Sequence, residues 1–140
     1  MTHPFDEKAA SYGVITAVPK DGSGTYYLGA SAANYVSLVA KPQDAAKCMW
    51  MYDQKGQLWL SASLTVYRYL GWAEQDYADW GLGQGPGVGP YSQPVLYNPD
   101  GTISLQGQPA QKLYKYNNWA CWGAGQSTSL LVLTPAPAST

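Results

Sequence analysis

The chain contains stretches that read as degenerate copies of one another. Met51–Leu60 (MYDQKGQLWL) aligns with Leu96–Leu105 (LYNPDGTISL), and further along Val66–Tyr69 aligns with Leu113–Tyr116. An Ala-x-Trp-Gly run then follows in both copies. An internal period of roughly 45 residues indicates that one supersecondary unit is used several times, which restricts the fold to a repeat architecture.

Short apolar runs separated by turn residues predict that this unit is made of strands. The runs are rich in Val, Ile, Leu, Tyr and Trp, and clusters of Gly, Pro, Asn and Asp divide them. We expect the residues before about Tyr12 to form a loose arm, and the tail Pro135–Ala138 not to continue a sheet. The predicted strands are Gly13–Val18, Thr25–Ala30, Tyr35–Ala40, Cys48–Tyr52, Gln57–Ala62, Val66–Leu70, Tyr77–Leu82, Pro94–Tyr97, Thr102–Leu105, Lys112–Tyr116, Trp119–Ala124 and Leu130–Thr134.

These strands divide into three sets of four, with units at about 12–53, 54–98 and 99–135. Three four-stranded units of this length predict an all-β protein, a β-trefoil with pseudo-threefold symmetry, as a single domain over residues 1–140. In that fold six strands close a barrel and three hairpins cap it, which removes exposed sheet edges. A jelly roll or sandwich would explain the many short strands equally well, but it would not predict the repeat.

Composition argues against several classes of partner. Charged residues make up 12% of the chain and the net charge is −1, so we expect no nucleic-acid partner. No apolar run approaches the roughly 20 residues that span a bilayer, and we expect no membrane insertion. No signal peptide is seen, which predicts a protein that is cytoplasmic or secreted by a non-classical route. Cys48 and Cys121 lack metal-type spacing, so we expect two free, part-buried thiols.

The sequence offers little for enzyme chemistry. The only histidine, His3, lies in the predicted arm, which argues against a Ser-His-Asp arrangement and a His-based metal site. Glu74, Asp76 and Asp79 could pair as an acid and a nucleophile, but three carboxylates in one hairpin are more typical of a solvated turn. We therefore expect no catalytic activity, no metal and no cofactor.

The trefoil rhythm resembles the ricin-B-type lectin family. That family places Gln-x-Trp on the fourth strand of each unit, followed by a turn and a first strand similar to Asp-Gly-Thr-Ile. Asn98–Ile103 matches the second part, whereas the first is degenerate: Cys48-Met49-Trp50 keeps only the Trp, Gln93-Pro94-Val95 keeps only the Gln, and Ser129-Leu130-Leu131 has neither. The resemblance implies carbohydrate binding, with glycans or glycoproteins as partners and a role as a defence or toxic lectin.

In that family a sugar ring stacks on an aromatic residue of a unit's third strand, and nearby acidic or amide side chains bond its hydroxyls. The resemblance places Trp80 and Trp122 at this position in units two and three, and Val39 in unit one, where no site is expected. Gln84 and Gln126 follow in the next loops, Tyr91 borders the second site, and Trp119 lies at a hairpin tip. The implied hydrogen-bonding residues are Glu74, Asp76 and Asp79 in unit two, and Asn117 and Asn118 in unit three.

Each aromatic also has a structural interpretation. Trp80 and Trp122 could plug one end of the barrel, and Trp50 and Trp59 are expected in the core. Tyr114 and Tyr116 should share one face, predicted to be a core face, with Lys115 on the other.

One stack and a few hydrogen bonds, each of about 1 kcal/mol, give millimolar to micromolar affinity per site, so useful binding would need several sites or a homodimer. The alternative functions are a β-trefoil protease inhibitor that uses Gly81–Pro90 or Asp53–Gly56, and a receptor-binding module of a toxin.

Overall fold

A computed structural model describes residues 11–31, 35–52, 56–63, 67–72, 78–82, 94–124 and 129–137; at 11, 12, 63, 67–69, 72, 79–82, 136 and 137 it describes the backbone alone. The prediction of an all-β chain is confirmed, because every predicted strand is present and the described residues include no α-helix. A single 3-10 turn lies at Pro42–Asp44. The strands are β1 Ser11–Pro19, β2 Tyr26–Ala30, β3 Val36–Val39, β4 Cys48–Tyr52, β5 Leu58–Ser63, β6 Tyr67–Trp72, β7 Ala78–Leu82, β8 Val95–Tyr97, β9 Ile103–Leu105, β10 Gln108–Tyr116, β11 Trp119–Gly123 and β12 Leu131–Pro137.

Six strands follow one another in a ring, in which five neighbouring pairs are ladders and the sixth pair, β9 and β12, is in contact. Strand β1 pairs with β4, β4 with β5, β5 with β8 and β8 with β9, all antiparallel. Strand β12 returns to pair with β1, and it contacts β9, where the Leu133 amide donates to the Gly101 carbonyl at 2.9 Å. The ring therefore joins the first and fourth strand of every four-strand set.

The six other strands form three antiparallel hairpins, β2–β3, β6–β7 and β10–β11. Their inner strands β3, β7 and β11 contact one another. Equivalent cross-strand pairs occur in all three hairpins: Leu28 with Leu38, Leu70 with Trp80, and Leu113 with Trp122. The internal sequence repeat is thus matched by a repeated hairpin register.

The core follows from the period-two alternation of strands, in which successive side chains point to opposite faces. On β3, Val36 and Leu38 are buried while Ser37 and Val39 are half-buried. Each hairpin also has one small or branched residue two positions before the second member of its cross-strand pair. These three residues are all fully buried: Val36, Ala78 and Ala120. Burial of these apolar side chains is the main term that stabilises the ring and its hairpins.

The expectation that the C-terminal prolines end the sheet is wrong. Strand β12 continues to Pro137, where Pro135 pairs with Ile15 and Pro137 with Gly13. In an antiparallel strand, residues two apart direct their amide nitrogens to the same side. The Leu133 amide donates to Gly101, away from β1, so the nitrogens of Pro135 and Pro137 also face away from β1. Proline is tolerated because neither lost N–H belongs to the β1–β12 ladder.

The turn between β8 and β9 is held by a polar network. Asp100 Oδ1 accepts from the Thr102 amide at 3.1 Å and from its hydroxyl at 2.7 Å, and Asn98 donates to Thr102 Oγ1 and Ser104 Oγ. Gly101 has φ +89°, and a Cβ there would lie 2.6 Å from a Val132 methyl. This turn requires glycine for its backbone angle and for its close contact with β12.

Candidate functional site

The structure overturns the predicted stacking role of Trp122. Its side chain is 0% exposed within the hydrophobic core, and its indole Nε1–H donates to the Gly71 carbonyl at 2.9 Å. The hydrogen bond joins the third hairpin to the second and satisfies a buried polar edge of the indole. Trp122 is a structural plug between hairpins, and no sugar can reach its ring.

The hairpin registers also correct the alignment of the repeats. Leu38, Trp80 and Trp122 occupy equivalent positions opposite Leu28, Leu70 and Leu113. Val39, which the resemblance placed at this position in the first unit, lies one residue further along β3 and pairs with Tyr27. The Trp80 side chain lies outside the described residues, so its proposed stacking stays a prediction, but the repeat no longer supports it.

Most other predicted residues of the second unit cannot be placed. Glu74, Asp76, Gln84 and Tyr91 lie outside the described residues, as does Gln126 in the third unit. Only the backbone of Asp79 is described, and it pairs with Gly71 on β6. The loops of the alternative inhibitor hypothesis, Gly81–Pro90 and Asp53–Gly56, are also largely outside the described chain.

The structure brings together the remaining predicted residues at the tip of the third hairpin. Asn117 and Asn118 form the two-residue connection between β10 and β11, and both are exposed. Asn117 has φ +52°, a conformation that asparagine tolerates better than most residues. The Asn118 carbonyl accepts from the Leu38 amide at 2.7 Å, which fixes the tip against β3. Both asparagines are therefore exposed on a turn that this hydrogen bond ties to β3.

Trp119, directly after this turn, begins a row of residues that crosses four strands. Strand β3 pairs with β11 through Ser37 and Trp119, so β2, β3, β11 and β10 are consecutive neighbours. Across them Gly29 lies beside Ser37, Ser37 beside Trp119, and Trp119 beside Tyr116. Directly paired residues place their side chains on the same face of a sheet.

Extending the alternation along each strand adds further aromatic residues to the same face. It carries five rings, which we call the aromatic face: Tyr27, Tyr35, Tyr114, Tyr116 and Trp119. The opposite face of these strands carries Leu28, Leu38, Leu113 and Trp122, which are buried in the core. The aromatic face is thus the side of this sheet that points away from the core cluster; Gly29 and Cys121 also lie on it and are buried, so the face is only partly exposed.

Rings on this face are accessible to different degrees. Tyr116 is 50% exposed, while Tyr27, Tyr35, Tyr114 and Trp119 are half-buried. Tyr35 and Trp119 make an edge-to-face contact, with ring centroids 6.2 Å apart and an interplanar angle of 78°. Such a contact orients both rings but leaves each with at least one face clear of the other. The aromatic face therefore offers oriented ring surfaces rather than loose side chains.

Tyr114 and Tyr116 share one face, opposite Lys115, as the alternation predicted, but that face is not part of the core. Among the tyrosines whose side chains the structure describes, those packed against the core are Tyr26, Tyr52 and Tyr97. On the other side of the ribbon, Lys115 Nζ lies 5.4 Å from the centroid of the Tyr26 ring, a cation–π contact. The Lys115 charge also contributes to a lowered pKa of Asp21, whose main cause is hydrogen bonding from Ser23.

Three other features bear on chemistry. Cys48 and Cys121 are buried and form no disulfide, and desolvation raises the pKa of Cys48 to about 12, which keeps it a protonated thiol. Within the described ranges, no group of three or more His, Cys, Asp or Glu side chains could hold a metal ion. In that same part of the chain there is no helix long and apolar enough to cross a membrane.

Trp50 and Trp59, predicted in the core, are each 1% exposed and so confirmed as buried. The sequence predicts site roles for Trp119, Asn117 and Asn118, and it does not indicate the tyrosines that lie beside them. The alternation of Tyr114 and Tyr116 was visible in the sequence, yet its outward direction depends on which side of β10 meets the core. Tyr35 was undetectable as a neighbour of Trp119, because the two are brought together only by the β3–β11 pairing.

No protein-family model matches this sequence, and no curated protein matches it significantly. The candidate site therefore rests on its own residues: an outward aromatic face bordered by two exposed amides.

Proposed function

We propose that the chain is a β-trefoil that binds carbohydrate through the aromatic face. The trefoil is supported by the ring of six strands, the three hairpins, and the equivalent hairpin registers that accompany the sequence repeat. The function is binding without catalysis. One observation carries the functional part: five aromatic rings lie on one sheet face outside the core, beside two exposed asparagines.

The chemistry of a sugar fits this surface. A pyranose has an apolar face of C–H bonds and a rim of hydroxyls, so it needs a flat ring and polar groups together. Trp119 and Tyr116 offer the rings, and the amides of Asn117 and Asn118 can both donate and accept hydrogen bonds. Each hydrogen bond contributes about 1 kcal/mol net, so one sugar unit binds with millimolar to micromolar affinity.

Tyrosine and tryptophan suit this task because they lose little conformational entropy on binding. Each has two side-chain torsions, and the contact between Trp119 and Tyr35 already restricts two of the rings. A preorganised surface avoids part of the ordering cost that weakens association. Glycans or glycoproteins are the partners we propose.

The experiment is a glycan array probed with the parent protein and with Trp119→Ala and Tyr116→Ala. We expect each variant to lose about tenfold or more in apparent affinity for the glycans the parent binds, because each removes one stacking ring. Trp122→Phe is the matched control, since it changes an indole on the opposite side of the same strand. Folding of every variant is checked by circular dichroism at low temperature.

Two outcomes count against the proposal in different ways. If Trp119→Ala and Tyr116→Ala both bind glycans as the parent does, the aromatic face is not the site. If the folded parent retains no glycan on a broad array, carbohydrate binding itself is wrong, and the aromatic face would then be tested against proteins.

A further inference from the structure

The hairpins of the first and third repeats pair directly with each other, whereas in the described residues the second hairpin pairs directly with neither of them. Strand β3 pairs with β11 through Ser37 and Trp119, and the Leu38 amide donates to the Asn118 carbonyl. Strand β7 contacts both β3 and β11, but among the described residues its only ladder is with β6. Within the described ranges, the threefold rhythm is therefore broken at this surface, where two repeats share a continuous four-stranded platform.

Both repeats contribute rings to that platform. Tyr27 and Tyr35 come from the first hairpin, and Tyr114, Tyr116 and Trp119 come from the third. The edge-to-face contact between Tyr35 and Trp119 crosses the boundary between the two repeats. The rings consequently belong to one surface rather than to two separate sites.

The middle of the platform is formed by small residues. Gly29 and Ser37 lie side by side across β2 and β3, and a Cβ at Gly29 would come within 2.7 Å of Ser37 Oγ. Gly29 is buried, and a Val39 methyl lies beside the same Cβ position, so small side chains separate the larger aromatic ones here. Four strands at a spacing of about 4.8 Å make this platform roughly 14 Å wide from β2 to β10.

We infer, resting on the proposed function, that the aromatic face is a single site for a linear oligosaccharide, with one chain bound per protein molecule. A pyranose and a tyrosine ring are both six-membered, so one sugar covers one aromatic ring. Rings distributed over four strands can all be used only by several linked sugars. The repeated sequence alone would instead predict two or three independent sites for single sugars.

The test uses four β-1,4-linked series, the glucose, N-acetylglucosamine, mannose and galactose oligosaccharides of one to six residues. Binding is measured by calorimetry, and by NMR titration for the weak short members. For at least one series we expect affinity to rise about tenfold with each added sugar up to about three sugars, since each gains a stack and a hydrogen bond. Longer chains should gain little, and the stoichiometry should be one.

Tyr35→Ala separates the shared platform from a site confined to the third hairpin. We expect it to weaken trisaccharide binding about tenfold and monosaccharide binding less than about twofold. Tyr26→Leu is the matched control, because Tyr26 lies on the neighbouring strand β2 but on the opposite side of the sheet. It should leave both affinities unchanged.

The inference and the proposed function fail separately. A stoichiometry of two or three, or affinity independent of chain length, overturns the single extended site even if Trp119→Ala still abolishes binding. The single extended site is also overturned if the protein binds only branched or terminal sugars on an array and none of the four series. Absence of any glycan binding by the folded parent overturns both.

Discussion

Trp119 and Trp122 lie three residues apart on β11 and have opposite roles. Trp122 faces inward, is fully buried, and donates a hydrogen bond across to the second hairpin. Trp119 faces outward, half-buried on a sheet surface beside Tyr35 and opposite Tyr116. The same residue type is a structural plug at one position and a candidate binding surface at the other. The side of the strand on which each tryptophan lies, and not the residue type, separates the two roles.

The largest expected effect is a loss of stability on substitution of the inward-facing Trp122. Trp122→Ala should reduce the free energy of unfolding by about 3–5 kcal/mol, because it leaves a cavity and an unpaired Gly71 carbonyl. Trp119→Ala should reduce it by about 1 kcal/mol or less, since its ring lies outside the core cluster. Urea denaturation at equilibrium measures both. Similar losses for the two variants would contradict the division of roles.

A smaller substitution isolates the contribution of the hydrogen bond between Trp122 and Gly71. Trp122→Phe keeps an aromatic ring but removes the N–H that satisfies Gly71, and should cost about 1–3 kcal/mol. Leu113→Met is the matched control, because it alters the residue directly opposite without changing a polar group and should cost less than about 1.5 kcal/mol. If Trp122→Phe is as stable as the parent, this hydrogen bond adds nothing.

The hairpin tip, where the two faces meet, is sensitive to backbone angle. Asn117→Ala should destabilise the protein by about 1 kcal/mol, because alanine resists the positive φ observed there. Asn117→Gly should be nearly neutral for stability, since glycine adopts this angle freely. If the amide contacts the glycan, Asn117→Gly still lowers affinity about fivefold, which calorimetry would detect. Equal stability of the alanine and glycine variants would show that the turn is not strained.

The smallest effect is expected at the exposed Lys20–Asp100 ion pair of 2.6 Å. Hydrogen bonds from Lys20 and then Thr102 hold the pKa of Asp100 well below its usual range. A lowered folded-state pKa contributes stability above the unfolded value of about 3.9, and that contribution is lost as pH falls below it. Both side chains are over a third exposed, so solvent screening limits the effect of Asp100→Asn to about 1 kcal/mol or less at pH 7.

Thermal unfolding from pH 7 down to pH 2 checks this prediction. The difference between parent and Asp100→Asn should shrink below about pH 4. Asp44→Asn, in the exposed 3-10 turn, is the control and should show little difference from the parent. If the difference in stability between the parent and Asp100→Asn instead grows at low pH, the pKa of Asp100 is not lowered in the folded protein.

Much of the fold was predictable because strands and turns are local. Cys48–Tyr52 was predicted with both ends correct, and each other strand overlaps its prediction. The turn at Asn98–Gly101 was readable from its glycine and its short polar side chains. The C-terminal prolines misled the prediction, because whether proline breaks a ladder depends on which side its nitrogen faces. That direction is set by the partner strand.

The candidate site was predictable only in part. Asn117, Asn118 and Trp119 follow from the hairpin tip, a local feature. The sequence predicts the wrong role for Trp122, because the repeat aligns its position correctly but does not indicate whether its side chain is buried. Tyr35 and Trp119 are 84 residues apart (119 − 35) and become neighbours through one strand pairing.

The sequence by itself determined where along the chain the strands lie and that one unit recurs, because alternation, turn residues and repetition act over a few neighbouring positions. Only the tertiary structure decided which side of each strand became interior and which two hairpins pair directly with each other. Both depend on contacts between distant segments: once the Leu113–Trp122 side of the third hairpin entered the core, Tyr114, Tyr116 and Trp119 were left on the outer side.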